Sequence, residues 1–188
     1  MLHLIFSILF LILHKNLNQQ IAMILAFDTY YFDNKAKTVC VSFNKITDAE
    51  PTEIKDEIIK DVPEYEPGSF YKRELPCILS LLKKYNLEEV ELIIVDGYAI
   101  LNNEGKLGLG GYLYEELNKT IPVIGVAKSQ FNVENKFAKE LFRGESKKPL
   151  YVSAIGLDLK EAYNAIKDMD GNYRMPTLLK VLDTKTRE

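Results

Sequence analysis

At 188 residues the chain is long enough for one domain with a sizeable core, and 47% apolar with 27% charged residues exclude a disordered, collagen-like or coiled-coil polypeptide. Lys and Arg number 24 against 27 Asp and Glu, a formal net charge of -3, so a site for a phosphate polymer needs local positive charge or a metal. Both histidines, His3 and His14, precede residue 23, which leaves carboxylates, lysine, tyrosine, serine or cysteine for chemistry in the rest of the chain.

Residues 1–22 differ in character from the remainder of the chain. The run 4–13, LIFSILFLIL, is about ten apolar residues, short of the ~20 of a transmembrane helix but near the length of a signal-peptide core. No Lys or Arg precedes it, HKNLNQQIA after it is a poor cleavage site, and Met23 stands directly before ILAFD. The first reading is an upstream over-extension of the reading frame; a membrane-targeting segment and a packed helix are the alternatives. The folded domain is expected over 23–188.

Residues 24–30 and 37–44 are rich in β-branched and aromatic side chains and flank Asp33-Asn34-Lys35, so they read as a hairpin. A third strand is expected within 53–62, although Ile54, Ile58 and Ile59 also permit a helix. After a turn over 63–68, Leu75, Ile78, Leu82 and Tyr85 fall at i, i+3, i+7 and i+10, a helical stripe. Strand then alternates with helix: ELIIVDG, a glycine-rich loop, a helix over 112–118, PVIGVAKS, a basic stretch, PLYVSAIG and a helix over 158–167. The continuously apolar runs 92–95 and 123–126 suit strands covered on both faces. An antiparallel meander followed by parallel βαβ strands, flanked by helices, makes an α/β mixed sheet with its chemistry at the carboxyl ends of the parallel strands. Cys40 and Cys77 have neither disulfide-framework nor metal-ligand spacing and read as small buried groups in a reducing compartment.

Three acids occupy unexpected places. Asp28 follows Ile-Leu-Ala-Phe inside the first strand, and Asp96 ends Ile93-Ile94-Val95 where the chain leaves the sheet. A buried unpaired carboxylate is costly, so an aspartate on a central strand calls for a cation or several donors beside it. If the two strands are neighbours the carboxylates converge, and Glu74, one turn into the first long helix, adds a third oxygen donor of the kind Mg²⁺ and Mn²⁺ favour. Such a cluster suits metal-dependent phosphodiester hydrolysis. The plainer alternatives are a strand-end turn at Asp96-Gly97 and a solvated ion pair at Glu74; Asp28 has no comparably plain reading. Residues 128–148 hold Lys128, Lys136, Lys139, Arg143, Lys147 and Lys148 against Glu134, Glu140 and Glu145, either a grip on a phosphate backbone or a solvated helix face.

The block Tyr65-Glu66-Pro67-Gly68-Ser69-Phe70-Tyr71-Lys72-Arg73-Glu74 resembles the Y-I-P-G-x-x-x-F-R-E of the endonuclease V family, deoxyinosine-directed repair nucleases with an RNase H-like fold. Val95-Asp96-Gly97 resembles its V-D-G-H-G with tyrosine in place of histidine, and Gly108-Leu109-Gly110-Gly111 stands where G-L-A-S-H is expected. Ile124-Gly125-Val126-Ala127-Lys128 is similar to I-G-V-A-K, Pro149-Leu150-Tyr151-Val152-Ser153 to the strand before S-x-G-H, and Tyr173-Arg174-Met175-Pro176 to the closing Y-R-L-P. The blocks occur in family order over residues 23–183.

The resemblance implies an RNase H-like sheet and a Mg²⁺ site, with Mn²⁺ as an alternative ion, formed by Asp28 and Asp96 as ligands with Glu74 close by. It implies that Lys128 stabilises phosphate charge, and that Tyr65, Pro67 and Gly68 form a wedge while the base is flipped into a pocket. It also implies that Gly97 and residues 108–111 (Gly108, Leu109, Gly110 and Gly111) offer backbone groups to hypoxanthine. The substrate implied is inosine-containing DNA or RNA, cut at the second phosphodiester bond 3′ to the inosine, by a cytoplasmic protein whose residues 23–188 have no stable membrane partner. The family's histidines are missing: one falls at Asn102 or its neighbour, the other within Ser153-Ala154-Ile155-Gly156-Leu157. A module of the same fold that binds deaminated or distorted strands without cutting therefore stands as the alternative, followed by a generic α/β domain and a different metal-dependent phosphohydrolase.

Overall fold

In the computed structural model, which describes residues 23–60, 62, 70–131 and 135–188, β1 (Met23–Phe32) turns at Asp33-Asn34 into β2 (Lys35–Phe43). Both turn residues have positive φ, 44° and 58°, the conformation that a two-residue hairpin needs and that Asp and Asn tolerate. β3 (Glu53–Lys60) pairs antiparallel with β2, which decides the strand-or-helix alternative in favour of a strand. β4 (Val90–Asp96) lies parallel to β1, and β5 (Val123–Ala127) parallel to β4. With β6 (Ala138–Leu141) and β7 (Leu150–Ile155), the seven strands make one mixed sheet in the order β3-β2-β1-β4-β5-β7-β6.

Successive side chains on a strand point to opposite faces, and here both faces are covered. Leu25, Phe27, Ile93 and Val95 pack with Ile78 and Leu81 of α1 (Tyr71–Leu82) and Leu113 of α2 (Leu109–Glu116). Ile24, Ala26, Ile94 and Val126 pack with Ile166 of α3 (Leu159–Asp168) and with Leu178 and Leu182 of α4 (Thr177–Arg187). This double burial is why the central strands carry continuous apolar runs rather than alternation.

Three features differ from the sequence expectation. The strand in PLYVSAIG, β7, runs antiparallel to β5, because β6 stands at the sheet edge beyond it and the β6–β7 hairpin brings the chain back. The basic stretch holds β6 rather than a surface helix. The chain ends in α4, which sequence reading did not foresee although Leu178, Leu179 and Leu182 repeat at helical spacing. Cys40 and Cys77 are buried free thiols. The apolar run 4–13 and the turn over 63–68 lie outside the described residues; among the described residues no helix is long and apolar enough to cross a membrane.

Candidate active site

The register Phe27↔Val95 sets Asp28 and Asp96, the next residues, side by side at the carboxyl ends of the parallel pair β1 and β4. Both share the sheet face of Ala26 and Ile94, the one that α4 covers. Asp28 is 8% exposed, with one carboxyl oxygen accepting the Thr29 N–H at 2.8 Å. Glu74 reaches the same place from α1 on the opposite face and is 1% exposed, its Oε2 lacking a hydrogen-bond partner among the described residues. Lys128 follows the last residue of β5, and its Nζ donates to Asp96 Oδ2 at 2.7 Å and to Asp183 Oδ1 at 3.0 Å. Asp183, on α4, also faces Lys180 at 3.3 Å and Arg187 at 3.4 Å.

Electrostatics separates these acids. Burial, and then the charge of Asp96, pushes Asp28 up to about 6. Burial, then Asp28 and Asp96, holds Glu74 well above the ordinary carboxylate range. Burial also acts upward on Asp183, but the hydrogen bond and charge of Lys128, with Lys180 and Arg187, outweigh it and bring that carboxyl down to about 2. Burial disfavours the Lys128 ammonium, yet Asp96 and the hydrogen bonds to Asp96 and Asp183 prevail and its pKa lies above the usual lysine value. Lys128 thus pairs with Asp96 and Asp183, Asp183 has Lys180 and Arg187 besides, and the buried Asp28 and Glu74 form no ion pair among the described residues.

Asp28, Glu74, Asp96, Gly97 and Lys128 line one cavity of about 410 Å³, walled by Tyr30, Tyr98, Phe70 and Phe131, within the size range of ligand pockets. Gly97 has φ 131°, a conformation that L side chains rarely adopt, and through it the chain leaves β4 over the cavity. Gly108, Leu109 and Gly110 do not line this cavity. They open α2 behind it, where Gly108 N–H donates to Ala99 O at 2.9 Å and Gly110 N–H to Tyr98 O at 3.1 Å, and Leu109 is core. A Cβ on Gly108 would stand 2.2 Å from Tyr98 O, so the glycine allows this approach. Tyr65, Pro67 and Gly68 lie outside the described residues.

Sequence reading assigned no role at the site to three residues found there, although Tyr98 and Arg174 fall within its motif blocks. Asp183 sits among Lys and Thr in α4 and resembles a solvated acid until its contact with Lys128 is seen; its one signal is that it is the single acid of that helix. Tyr98 donates its hydroxyl proton to Ser129 O at 3.0 Å and accepts Phe131 N–H at 3.3 Å, pinning the wall after Lys128. Arg174 donates to the backbone carbonyls of Lys128 and Pro149 and so ties the entry of α4 to the strand carrying the lysine.

The donor set is all oxygen, and the orphaned Glu74 Oε2 beside two more carboxylates fits a hard divalent cation. Among the described residues no three His, Cys, Asp or Glu side chains already stand close enough to ligate one ion together.

Residues 10–147 match the family model described as Endonuclease V. The chain belongs to the endonuclease V family. Its structure is similar to that of Ciona intestinalis endonuclease V, solved in complex with a 24mer DNA containing an inosine followed by a ribo-adenosine, with 20% identity, TM-score 0.73 and coverage of 88% of this chain and 84% of that one. Human ENDOV gives 20% identity, TM-score 0.67 and coverage of 90% and 84%. Streptomyces avermitilis endonuclease V gives 23%, 0.67, 88% and 80%. No curated protein sequence matches significantly. The mixed sheet with flanking helices is the RNase H-like α/β fold of these endonuclease V structures.

Where the endonuclease V pattern led to expected histidines, this member uses its residues structurally. Asn102 Oδ1 accepts Lys106 N–H at 2.9 Å inside a turn. Ser153 Oγ, fully buried on β7, accepts Ala99 N–H at 2.9 Å and so fastens the segment after Gly97 across β5. That crossing needs Gly125, whose Cβ would lie 2.5 Å from Ala99 N and 2.6 Å from Gly97 O.

Proposed function

We propose that this chain is a divalent-cation-dependent endonuclease that hydrolyses the second phosphodiester bond 3′ to inosine, the deaminated form of adenosine, in DNA or RNA, as a nucleic-acid repair activity. The observation that carries the reading is the convergence of Asp28, Glu74 and Asp96 on one cavity at the carboxyl ends of β1 and β4, with Lys128 and Asp183 beside them. The inosine-containing DNA in the Ciona complex supports the choice of substrate.

Asp28 and Asp96 would hold Mg²⁺ or Mn²⁺, with Glu74 close by. Such an ion supplies the positive charge that polarises a phosphate and activates water. Lys128 places a compact ammonium against phosphate charge, and Asp183 and Asp96 hold it at the cavity wall. Gly97 offers backbone groups to the base at close approach, and Tyr65, Pro67 and Gly68 act as the wedge at the lesion. Residues 23–188 form the nuclease domain with 1–22 as an extension, and the cytoplasm suits the two buried thiols.

A second reading, a module that binds such strands without cutting them, is favoured by the ion pair that engages Asp96 with Lys128. The two separate on one experiment. The full chain, incubated with an inosine-bearing strand and Mg²⁺ or Mn²⁺, is expected to nick it at the second bond 3′ to the inosine and to spare the adenosine control. Binding without nicking in either metal assigns the second reading.

A further inference from the structure

Asp28, Tyr30 and Phe32 lie two residues apart on β1 and therefore share one face of the strand. Beyond the carboxylate, the rings of Tyr30 and Phe32 are stacked, 6.3 Å between centroids and 17° between planes. The Arg187 guanidinium lies 4.8 Å from the Tyr30 centroid, and the Lys35 ammonium 5.8 Å from that of Phe32. The result is a ladder of cation, ring, ring and cation. It starts at the cavity, which Tyr30 and Arg187 both line, and runs out to the end of the β1–β2 hairpin. Tyr30 is 38% exposed and Phe32 half-buried, so the pair is reached from solvent chiefly at Tyr30, where a core pair would be closed.

A ring pair flanked by cations matches a single nucleic-acid strand: bases stack on the rings whatever their identity, and the cations meet the phosphates. A duplex does not offer its base faces in this way. Continuity with the carboxylate cavity names the occupant, since a strand whose scissile bond sits at Asp28 must leave the cavity over one of its walls. The cations count for more in a chain whose net charge is -3.

We propose that the Arg187–Tyr30–Phe32–Lys35 ladder is the docking track for unpaired nucleotides flanking the scissile bond. This rests on the nuclease reading of the cavity. The test is the affinity of the full chain for fluorescently labelled inosine-containing oligonucleotides in chelating buffer, as single strands of increasing length on either side of the inosine and as a duplex. Wild-type protein is expected to bind the longer single strands more tightly than a strand ending at the inosine, and than the duplex. Phe32→Leu, which keeps apolar bulk but removes the ring, is expected to weaken long-strand binding about ten-fold without changing binding of the shortest strand. Lys35→Gln is expected to reduce the slope of log affinity against log salt by roughly one, and it keeps the test open should Phe32→Leu lower the melting temperature. Unchanged long-strand binding by Lys35→Gln and by a folded Phe32→Leu protein, with inosine nicking by wild type intact, overturns the track alone. No strand binding and no nicking by wild type overturns the nuclease reading with it.

Discussion

Burial and the neighbouring Asp96 make ionised Asp28 costly in the folded protein, and the direction of its pKa fixes the sign of a stability effect. The fold holds this proton up to about 6, whereas an unfolded aspartate releases it near 4. Over that window the unfolded chain binds fewer protons than the folded one, so stability falls as pH rises from about 4 to about 6 and is level above. The shift corresponds to a penalty on the order of 3 kcal/mol at neutral pH. Asp28→Asn is therefore expected to melt higher than wild type in chelating buffer at pH 7.5, to lose the decline between pH 4 and 6, and to abolish nicking. Melting curves across pH, read beside a nicking assay, check all three, and nicking at the wild-type rate would remove Asp28 from the chemistry. Asp183 behaves oppositely: its depressed carboxyl contributes stability that is complete above the unfolded value and fades as pH falls toward 2. Asp28 was legible in the sequence because an acid inside an apolar strand has no inexpensive surroundings. Asp183 was not, because an acid among Lys180, Lys185 and Arg187 on an amphipathic segment has the composition of a solvated face, and only the fold brings Lys128 to it.

At the scale of elements, the β1–β2 hairpin and the first four helix-and-strand alternations could be read because their signals are local: turn residues with positive φ, apolar runs and periodic stripes. The direction of β7 could not, since it depends on β6 taking the sheet edge beyond it, a tertiary matter. The basic stretch shows the limit well. Arg143 is 8% exposed and donates to Met169 O at 2.5 Å, Gly171 O at 3.0 Å and Tyr173 O at 3.1 Å, holding the segment that leads into α4. Lys147 and Lys148 are exposed in the β6–β7 connection. A charge count treats the three alike; burial assigns one to the fold and two to the surface. Arg143→Met is expected to cost about 3 kcal/mol or more in urea denaturation, because one buried and two part-buried carbonyls lose a charged donor. Lys147→Glu with Lys148→Glu is expected to leave the denaturation midpoint unchanged and to lower the salt slope of strand binding. A double variant whose salt slope equals that of wild type would take this connection out of the strand path.

On the scale of the whole molecule, an acidic chain keeps its useful cations at one end of its sheet. The carboxyl ends of β1, β4 and β5 carry Lys128, the β1–β2 hairpin Lys35, the end of α4 Arg187 and the β6–β7 connection Lys147 and Lys148. The same end gathers Asp28, Glu74, Asp96 and Asp183, with Lys128 between Asp96 and Asp183 and Lys180 and Arg187 on Asp183 alone, so the buried pair Asp28 and Glu74 is strained by like charge and relieved by a cation that enters. Linkage turns this into a number. A ligand that binds only the folded state stabilises it by about 2.7 kcal/mol at a hundred times its dissociation constant, and for a chain of this length each kcal/mol raises the melting temperature by roughly 2–4 °C. Near-saturating Mg²⁺ or Mn²⁺ is therefore expected to raise the melting temperature of wild type by about 5–10 °C, with chelator reversing it. In the Asp28→Asn protein, already relieved of one charge and deprived of one ligand, the metal-induced rise is expected to shrink to a small fraction of that. Thermal melts of the two proteins with and without metal measure this with no substrate present. A rise of equal size in both would place the cation away from Asp28, and with it the reason for gathering these carboxylates at the end of the parallel strands.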